Sequence, residues 1–166
     1  LIKMIGAKRV LEIGTLAGYS SIWMARALPA DGKVVTLEVS REHADFALDN
    51  FKKAGLEDKI ELIFGRAMDS LDNLLKKADS GGKFDFVFID ADKENSSAYF
   101  DKSIDITNKG GIIATDNTLK NGNVIKKDVD EGTKGIQLYN EKVANDPRVE
   151  SLLVSISDGL TISLVK

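Results

Sequence analysis

Short β-rich apolar runs recur along the chain at RVLEI (9–13), KVVTLEV (33–39), IELIF (60–64), FDFVFID (84–90), GIIATD (111–116), VESLLVS (149–155) and LTISLV (160–165), with segments of helical period between most of them. A strand joins a parallel neighbour only through a crossover, so this alternation calls for a parallel sheet with helices on both faces. The expected fold is a doubly wound α/β domain with a seven-stranded, mostly parallel sheet. The clearest helix is 40–54: Ser40 can cap it, Glu42 lies in its first turn, Ala44, Ala47, Leu48 and Phe51 form one stripe, and Gly55 ends it. Only Asp158 and Gly159 lie between VESLLVSIS and LTISLV, a hairpin signal that makes one strand of that pair antiparallel to the rest. The polar stretch from Lys120 to Lys134 reads as a loop near the site or a poorly ordered excursion.

Composition limits what such a domain does. At roughly 100–200 residues per domain, the 166 residues form one domain, 1–166, long enough to bury a substantial core. Hydrophobic residues at 43% and charged residues at 30% argue against disorder, a collagen-like repeat or a membrane protein. No apolar run exceeds the length of a strand, so no membrane partner is expected, and nothing reads as a signal peptide. The net charge of −3 offers no basic face to nucleic acid, which leaves a small molecule as the expected partner. The absence of Cys excludes disulfides, thiolate metal sites and a Cys nucleophile, and suits a cytoplasmic location. The sole His, His43, cannot form a cluster, and Ser-His-Asp chemistry would have to run through it alone.

Four segments carry the candidate chemistry. In VLEIGTLAGYS (10–20) a strand ends at Glu12-Ile13, Gly14 and Gly18 let the backbone turn tightly and approach a ligand, and a helix begins near Tyr19-Ser20, which together make a cofactor cradle. The Gly-x-x-x-Gly spacing matches neither the dinucleotide fingerprint nor a P-loop, and a connection that merely needs small residues is the plainer alternative. Glu38 ends the next strand 24 residues after Gly14. In this fold an acid about 20 residues on accepts hydrogen bonds from ribose hydroxyls, and a surface acid at a strand end is the alternative. The segments FDFVFIDADKEN (84–95) and GGIIATDNTLKNG (110–122) each finish on carboxylates. If their strands are neighbours, Asp90, Asp116 and Asn117 converge as three hard oxygen donors suited to Mg²⁺, Mn²⁺ or Ca²⁺. Helix capping by Asp92, Asn95 or Asp116 is the alternative. Lys93, beside the acids, is a candidate general base, although most lysines are simply solvated. Tyr19, Trp23 and Tyr139 stand at helical spacing, read as core, and receive no site role.

In their order along the chain these segments resemble the cation-dependent class I O-methyltransferases that include caffeoyl-CoA, catechol and related bacterial enzymes. The resemblance covers nearly the whole chain. EIGTLAGYS is similar to the family's S-adenosylmethionine loop, IDADK to its acidic loop, TDNTL-x-NG to its metal motif, and DPRV with DGLTIS to its C-terminal hairpin. It implies a Rossmann-like sheet, S-adenosylmethionine as cofactor, and Mg²⁺ ahead of Mn²⁺ or Ca²⁺ as the cation. By the same resemblance Glu12, Gly14, Thr15 and Ser20, with Gly18 in the same loop, hold the methionine and nearby parts of the cofactor. Glu38 takes the ribose hydroxyls, Ala67 in GRAMDSL lies by the adenine, and Asp92 also contacts the cofactor. Asp90, Asp116 and Asn117 match metal ligands, Asn121 a substrate contact, and Lys93 a base. A homodimer is implied as well. Two departures stand out. Lys120 replaces the aromatic residue common after NTL, so a flat acceptor loses a stacking surface or an anionic one gains a charge partner. The chain opens LIKMIGAKRV without an initiator Met, and the family's helices before the first strand are expected to be missing.

The expected reaction is methyl transfer from S-adenosylmethionine to one of two vicinal hydroxyls of a catechol- or caffeoyl-type molecule. Both oxygens would chelate the cation, with Asp90 among its holders and Lys93 taking the proton. Two rival readings share the fold: a nicotinamide-dependent oxidoreductase, disfavoured by the glycine spacing, and a cofactor-binding module without activity of its own.

Overall fold

The parallel arrangement follows from where the connections lie. The computed structural model describes residues 1–78 and 82–166. In chain order the elements are β1 (Arg9–Ile13), α1 (Tyr19–Ala27), β2 (Lys33–Glu38), α2 (Arg41–Lys53), β3 (Ile60–Phe64), α3 (Ala67–Lys77), β4 (Phe84–Ile89), α4 (Ser96–Ile106), β5 (Thr107–Asp116), α5 (Glu131–Asn145), β6 (Val149–Val154) and β7 (Leu160–Val165). They form a seven-stranded sheet in the order β3-β2-β1-β4-β5-β7-β6. The pairs β1–β2, β2–β3, β1–β4 and β4–β5 are parallel. The Asp158-Gly159 hairpin makes β7 the reversed strand, antiparallel to both β5 and β6.

The chain builds outward from β1 in one direction, to β2 and β3, then returns to the other side of β1 for β4 and β5. Right-handed crossovers running in opposite directions place their helices on opposite faces. One face carries α1 and α2 over a core that includes Val10, Met24, Ala25, Val34, Ala47, Phe51, Phe86 and Ile112. The other carries α3, α4 and α5 over Leu11, Ile13, Leu37, Leu71, Val87, Phe100, Ile113 and Tyr139. Neighbouring residues of β1 thus serve opposite cores. The reversal of strand order falls between β1 and β4, the position at which open α/β sheets leave a crevice at the carboxyl ends of their strands.

Several boundaries differ from the sequence reading. In α2, Ser40 accepts a hydrogen bond from the His43 N–H, and Ala44, Ala47 and Phe51 are buried. Leu48 is 47% exposed, because spacings of three and four hold the other residues on one face while Leu48 falls to its flank. Strand β5 begins at Thr107 rather than Gly111, and its register against β4 shifts between Phe84 and Phe86. The stretch 120–134 is not one loop. It forms a kinked 3-10 segment at Lys120–Ile125, non-helical at Asn121 and Gly122, and then enters α5, where Asp130 accepts from the Thr133 N–H at 2.9 Å. Only the first turn of α5 falls within that stretch, where Gly132 is a poor helix former. Tyr139 is fully buried as expected, but Tyr19 is 74% and Trp23 53% exposed on α1, because the buried face of this helix is made by Ser21, Met24 and Ala25. Among the described residues no helix is long and apolar enough to cross a membrane.

Ile113 is fully buried in the middle of the sheet between strands β4 and β7. Chemical denaturation should therefore show a graded loss, about 0.5–1.5 kcal/mol for Ile113→Val and about 2–5 kcal/mol for Ile113→Ala. Equal losses for the two variants would mean that the site collapses around the missing atoms.

Candidate functional site

At the end of β1 there is no room for a side chain. Gly14 adopts φ +104°, and a Cβ placed there would lie 2.3 Å from the Asp90 carbonyl oxygen. The glycine therefore lets the ends of β1 and β4 meet, and the Asp90 N–H donates to the Ile13 carbonyl at 2.9 Å. The backbone then closes a tight turn in which the Gly18 N–H donates to the Thr15 carbonyl at 2.8 Å, and Gly18 leads into α1 against the ring of Phe51.

Glu38 organises this turn. Its Oε2 accepts from the N–H groups of Thr15 at 3.2 Å and Leu16 at 2.9 Å. Its Oε1 accepts from Val39 at 3.0 Å and Ser40 at 2.8 Å. Four backbone donors thus converge on a carboxylate that is only 7% exposed. A carboxylate offers about four lone-pair sites, so a ribose hydroxyl arriving here would share an oxygen with these amides. Glu12 is different. It is fully buried and accepts from Ser20 Oγ, Ser21 Oγ and, at 2.6 Å, Thr36 Oγ1. It lies behind the glycine turn, tying the first turn of α1 to β2. Burial pushes its pKa above the ordinary carboxylate range, partly offset by the three hydroxyl donors.

The crevice above these residues is a cleft of about 840 Å³, within the ~300–1,000 Å³ range of small-molecule sites. Of the residues singled out in the sequence, Gly14, Thr15, Ser20, Glu38, Ala67, Asp90, Asp92 and Asp116 line it. Glu12, Gly18, Lys93, Asn117 and Asn121 are not among its lining residues. Sequence reasoning missed Arg66 and Met68, which bracket Ala67, as well as Tyr19, His43 and Tyr99. Tyr99 had a recoverable signal. It lies two helical turns beyond Asp92, and its hydroxyl donates to Asp92 Oδ1 at 2.6 Å. Burial, with Asp92 as acceptor, raises the pKa of Tyr99.

The acidic end of the cleft follows from the register of β4 and β5. Ile89 pairs with Thr115, so the next residues, Asp90 and Asp116, emerge side by side from parallel neighbours. Lys93, its side chain 14% exposed, reaches back to both residues, donating from Nζ to Asp90 Oδ1 at 2.8 Å and to the Asp116 carbonyl at 3.3 Å. Asp116 Oδ1 accepts from the Asn117 N–H at 2.7 Å, and Asn117 is left-handed at φ +59°. None of Asp92, Asn95 and Asp116 caps a helix through its side chain. Among the described residues no three His, Asp or Glu side chains gather as a metal site, so a cation here would rely on two carboxylates and the Asn117 amide. That donor set is chemically suited to a hard divalent ion. Asn121 sits in the turn after these residues, where its N–H donates to Asp158 Oδ1.

Known proteins are similar to this chain in sequence and fold. Residues 1–166 match the model of a family described as O-methyltransferase. The chain is 42% identical to tricin synthase 2 of Oryza sativa subsp. japonica, over 98% of its own length and 58% of that protein's. It is 41% identical to a caffeoyl-CoA O-methyltransferase of Pinus taeda, over 98% and 65% of the two chains. The chain thus spans about three-fifths of the length of these relatives. An O-methyltransferase from Bacillus cereus, solved in complex with SAH, superposes with a TM-score of 0.92 at 39% identity, covering 99% of this chain and 77% of that one.

The buried Glu12 gives a pH test. Because its pKa is raised on folding, the stability it contributes is full below its ordinary value of 4.5 and is lost as pH rises through the raised value. The stability of the wild type relative to Glu12→Gln should therefore fall as pH rises above 4.5, read from urea midpoints across the range. Parallel curves for the two proteins would show that Glu12 titrates alike folded and unfolded.

Proposed function

The chain belongs to the O-methyltransferase family, and on that membership we propose that it transfers the methyl group of S-adenosylmethionine to one of two vicinal hydroxyls of a small dihydroxy aromatic molecule, with a divalent cation bound. The observation that carries this reading is the pairing within one cleft of a glycine turn clamped by Glu38 with the Asp90, Asp116 and Lys93 cluster. The complex of the Bacillus cereus relative with SAH supports the cofactor, and the names of the plant relatives support a caffeoyl-type acceptor. A homodimer in the cytoplasm completes the proposal.

Thr15 and Ser20 face the methionine portion of the cofactor, Glu38 its ribose and Ala67 its adenine, while Asp92, steadied by Tyr99, offers a carboxylate between those ends. Bound S-adenosylmethionine would supply a methyl group on a positively charged sulfur, and Asp90, Asp116 and Asn117 would hold a divalent cation, Mg²⁺ ahead of Mn²⁺ or Ca²⁺, whose charge would lower the pKa of the acceptor hydroxyl. Lys93 takes the hydroxyl proton at Nζ. The carbon–sulfur bond breaks as the new carbon–oxygen bond forms, and SAH leaves with the electron pair on sulfur. Asn121 contacts the acceptor. Most of the acceleration comes from holding the two reactants in line, an effect that reaches about 7–11 kcal/mol in favourable cases.

The test is methyl transfer from labelled S-adenosylmethionine to a panel of vicinal dihydroxy aromatics, with Mg²⁺ and with excess chelator. We expect Mg²⁺-dependent product, and its loss by at least a hundredfold in Asp90→Ala with SAH binding retained. Turnover that survives both the chelator and Asp90→Ala removes the cation from the mechanism, and a calorimetric preference for NAD over S-adenosylmethionine overturns the proposal altogether.

A further inference from the structure

The residue pair Asp116–Asn117 is bracketed from one helix. On its N-terminal side Thr115 Oγ1 accepts from the hydroxyl of Tyr139, 2.8 Å away, and on its C-terminal side the Thr118 carbonyl accepts from Asn140 Nδ2, also at 2.8 Å. Tyr139 and Asn140 are consecutive residues of α5. The opposite edge of the same backbone is held by the hairpin turn, where the Thr118 N–H donates to the Gly159 carbonyl at 3.1 Å and the Leu119 N–H to the Asp158 carbonyl at 2.8 Å. Between these anchors Asn117 takes φ +59°, a left-handed conformation uncommon for residues with a side chain and adopted most readily among them by Asn and Asp. The Asn140 amide has little else to do. Its Oδ1 is buried without a hydrogen-bond partner among the described residues, so the bond to Thr118 is what its polar end contributes.

The same helix also sets Lys93. A Cβ on Gly135 would lie 2.4 Å from the Lys93 carbonyl oxygen, so α5 packs directly on the turn carrying that lysine. Helix α5 is thus a common backing for both halves of the acidic site, and Asn140 is its one side-chain hydrogen bond to the residue directly after Asn117.

From this geometry we infer that Asn140 is a positioning residue for the cation site: by holding the Thr118 carbonyl it fixes the left-handed turn that presents Asn117 beside Asp116. The inference rests on the reading of Asp90, Asp116 and Asn117 as cation ligands. Groups that orient a ligand typically change metal affinity by about 10–100-fold when removed, and a residue acting through the backbone next to a ligand belongs near the lower end of that range.

The experiment is calorimetric titration of the purified chain with Mn²⁺, alongside SAH binding and urea midpoints. The variants are Asn140→Leu, Asn140→Asp, Asp116→Asn and Ile136→Val, the last a buried residue of α5 distant in role from the turn. We expect both Asn140 variants to bind Mn²⁺ about tenfold more weakly than the wild type, with SAH affinity changed less than twofold and with Ile136→Val binding Mn²⁺ normally. If Asn140→Leu does not fold, Asn140→Asp, which keeps the shape and loses the donor, carries the measurement. Unchanged Mn²⁺ affinity in a folded Asn140 variant overturns the inference where Asp116→Asn has lost the ion. Equal weakening in Ile136→Val overturns it too, because the effect is then one of general stability. Mn²⁺ binding that survives in Asp116→Asn removes the cation reading itself, and the inference falls with it.

Discussion

The meeting of two strand ends, where Gly14 leaves 2.3 Å between a hypothetical Cβ and the Asp90 carbonyl, is the constraint on which the rest of the site depends. Because β1 and β4 touch there, the reversal of strand order opens its crevice immediately above them, and the loops leaving both strands share one cleft. The turn after Gly14 directs the N–H groups of Thr15 and Leu16 at Glu38, so the closeness of β1 and β4 and the clamp between β1 and β2 are consequences of one backbone path. A side chain at position 14 would force Asp90 aside and displace the acidic end of the cleft together with the glycine end.

Polar interactions stiffen that path where apolar packing cannot. Glu12 and Glu38 are both nearly inaccessible, yet they solve the burial of a carboxylate differently. Glu38 recruits four backbone N–H groups. Glu12 has three hydroxyls, weaker compensation for a fully buried group, and its pKa rises accordingly. The same logic governs Asp92 and Tyr99, where a buried phenol turned toward the cleft gives the carboxylate a fixed orientation. On the far side, the backbone is left-handed at Asn117, Lys120 and Asn121; Asn adopts this readily, whereas at Lys120 it costs about 1–2 kcal/mol, and the hairpin turn and α5 hold the chain around these residues.

Much of this was legible along the chain because its signals are local. The glycines at 14 and 18, the acids at the ends of β2, β4 and β5, and the Asp158-Gly159 hairpin are each read within a few residues. The β4–β5 pairing that brings Asp90 beside Asp116 was a condition the sequence could state but not meet, since it depends on strand order. Two misreadings have clear causes. The first turn of α5 was read as loop because Gly132 lies in it, and Gly135 follows because α5 lies almost in contact with the Lys93 carbonyl. Tyr19 and Trp23 have helical spacing, but periodicity cannot say which face of α1 meets the sheet, and the smaller Ser21, Met24 and Ala25 occupy it.

What the sequence by itself determined is the set of elements and the end of each strand at which chemistry collects, because side-chain alternation and turn chemistry act over distances of a few residues. What only the tertiary structure decided is which of those groups face one another. Glu12 turns its carboxylate to Ser20, Ser21 and Thr36 instead of the cleft. Lys93 finds Asp90 and the Asp116 carbonyl, and Asn140 finds Thr118 across 22 residues of chain. These contacts are decided by strand order, register and the approach of one helix to a turn. No local pattern encodes them, because each is a property of two segments brought together by the packing of all the others.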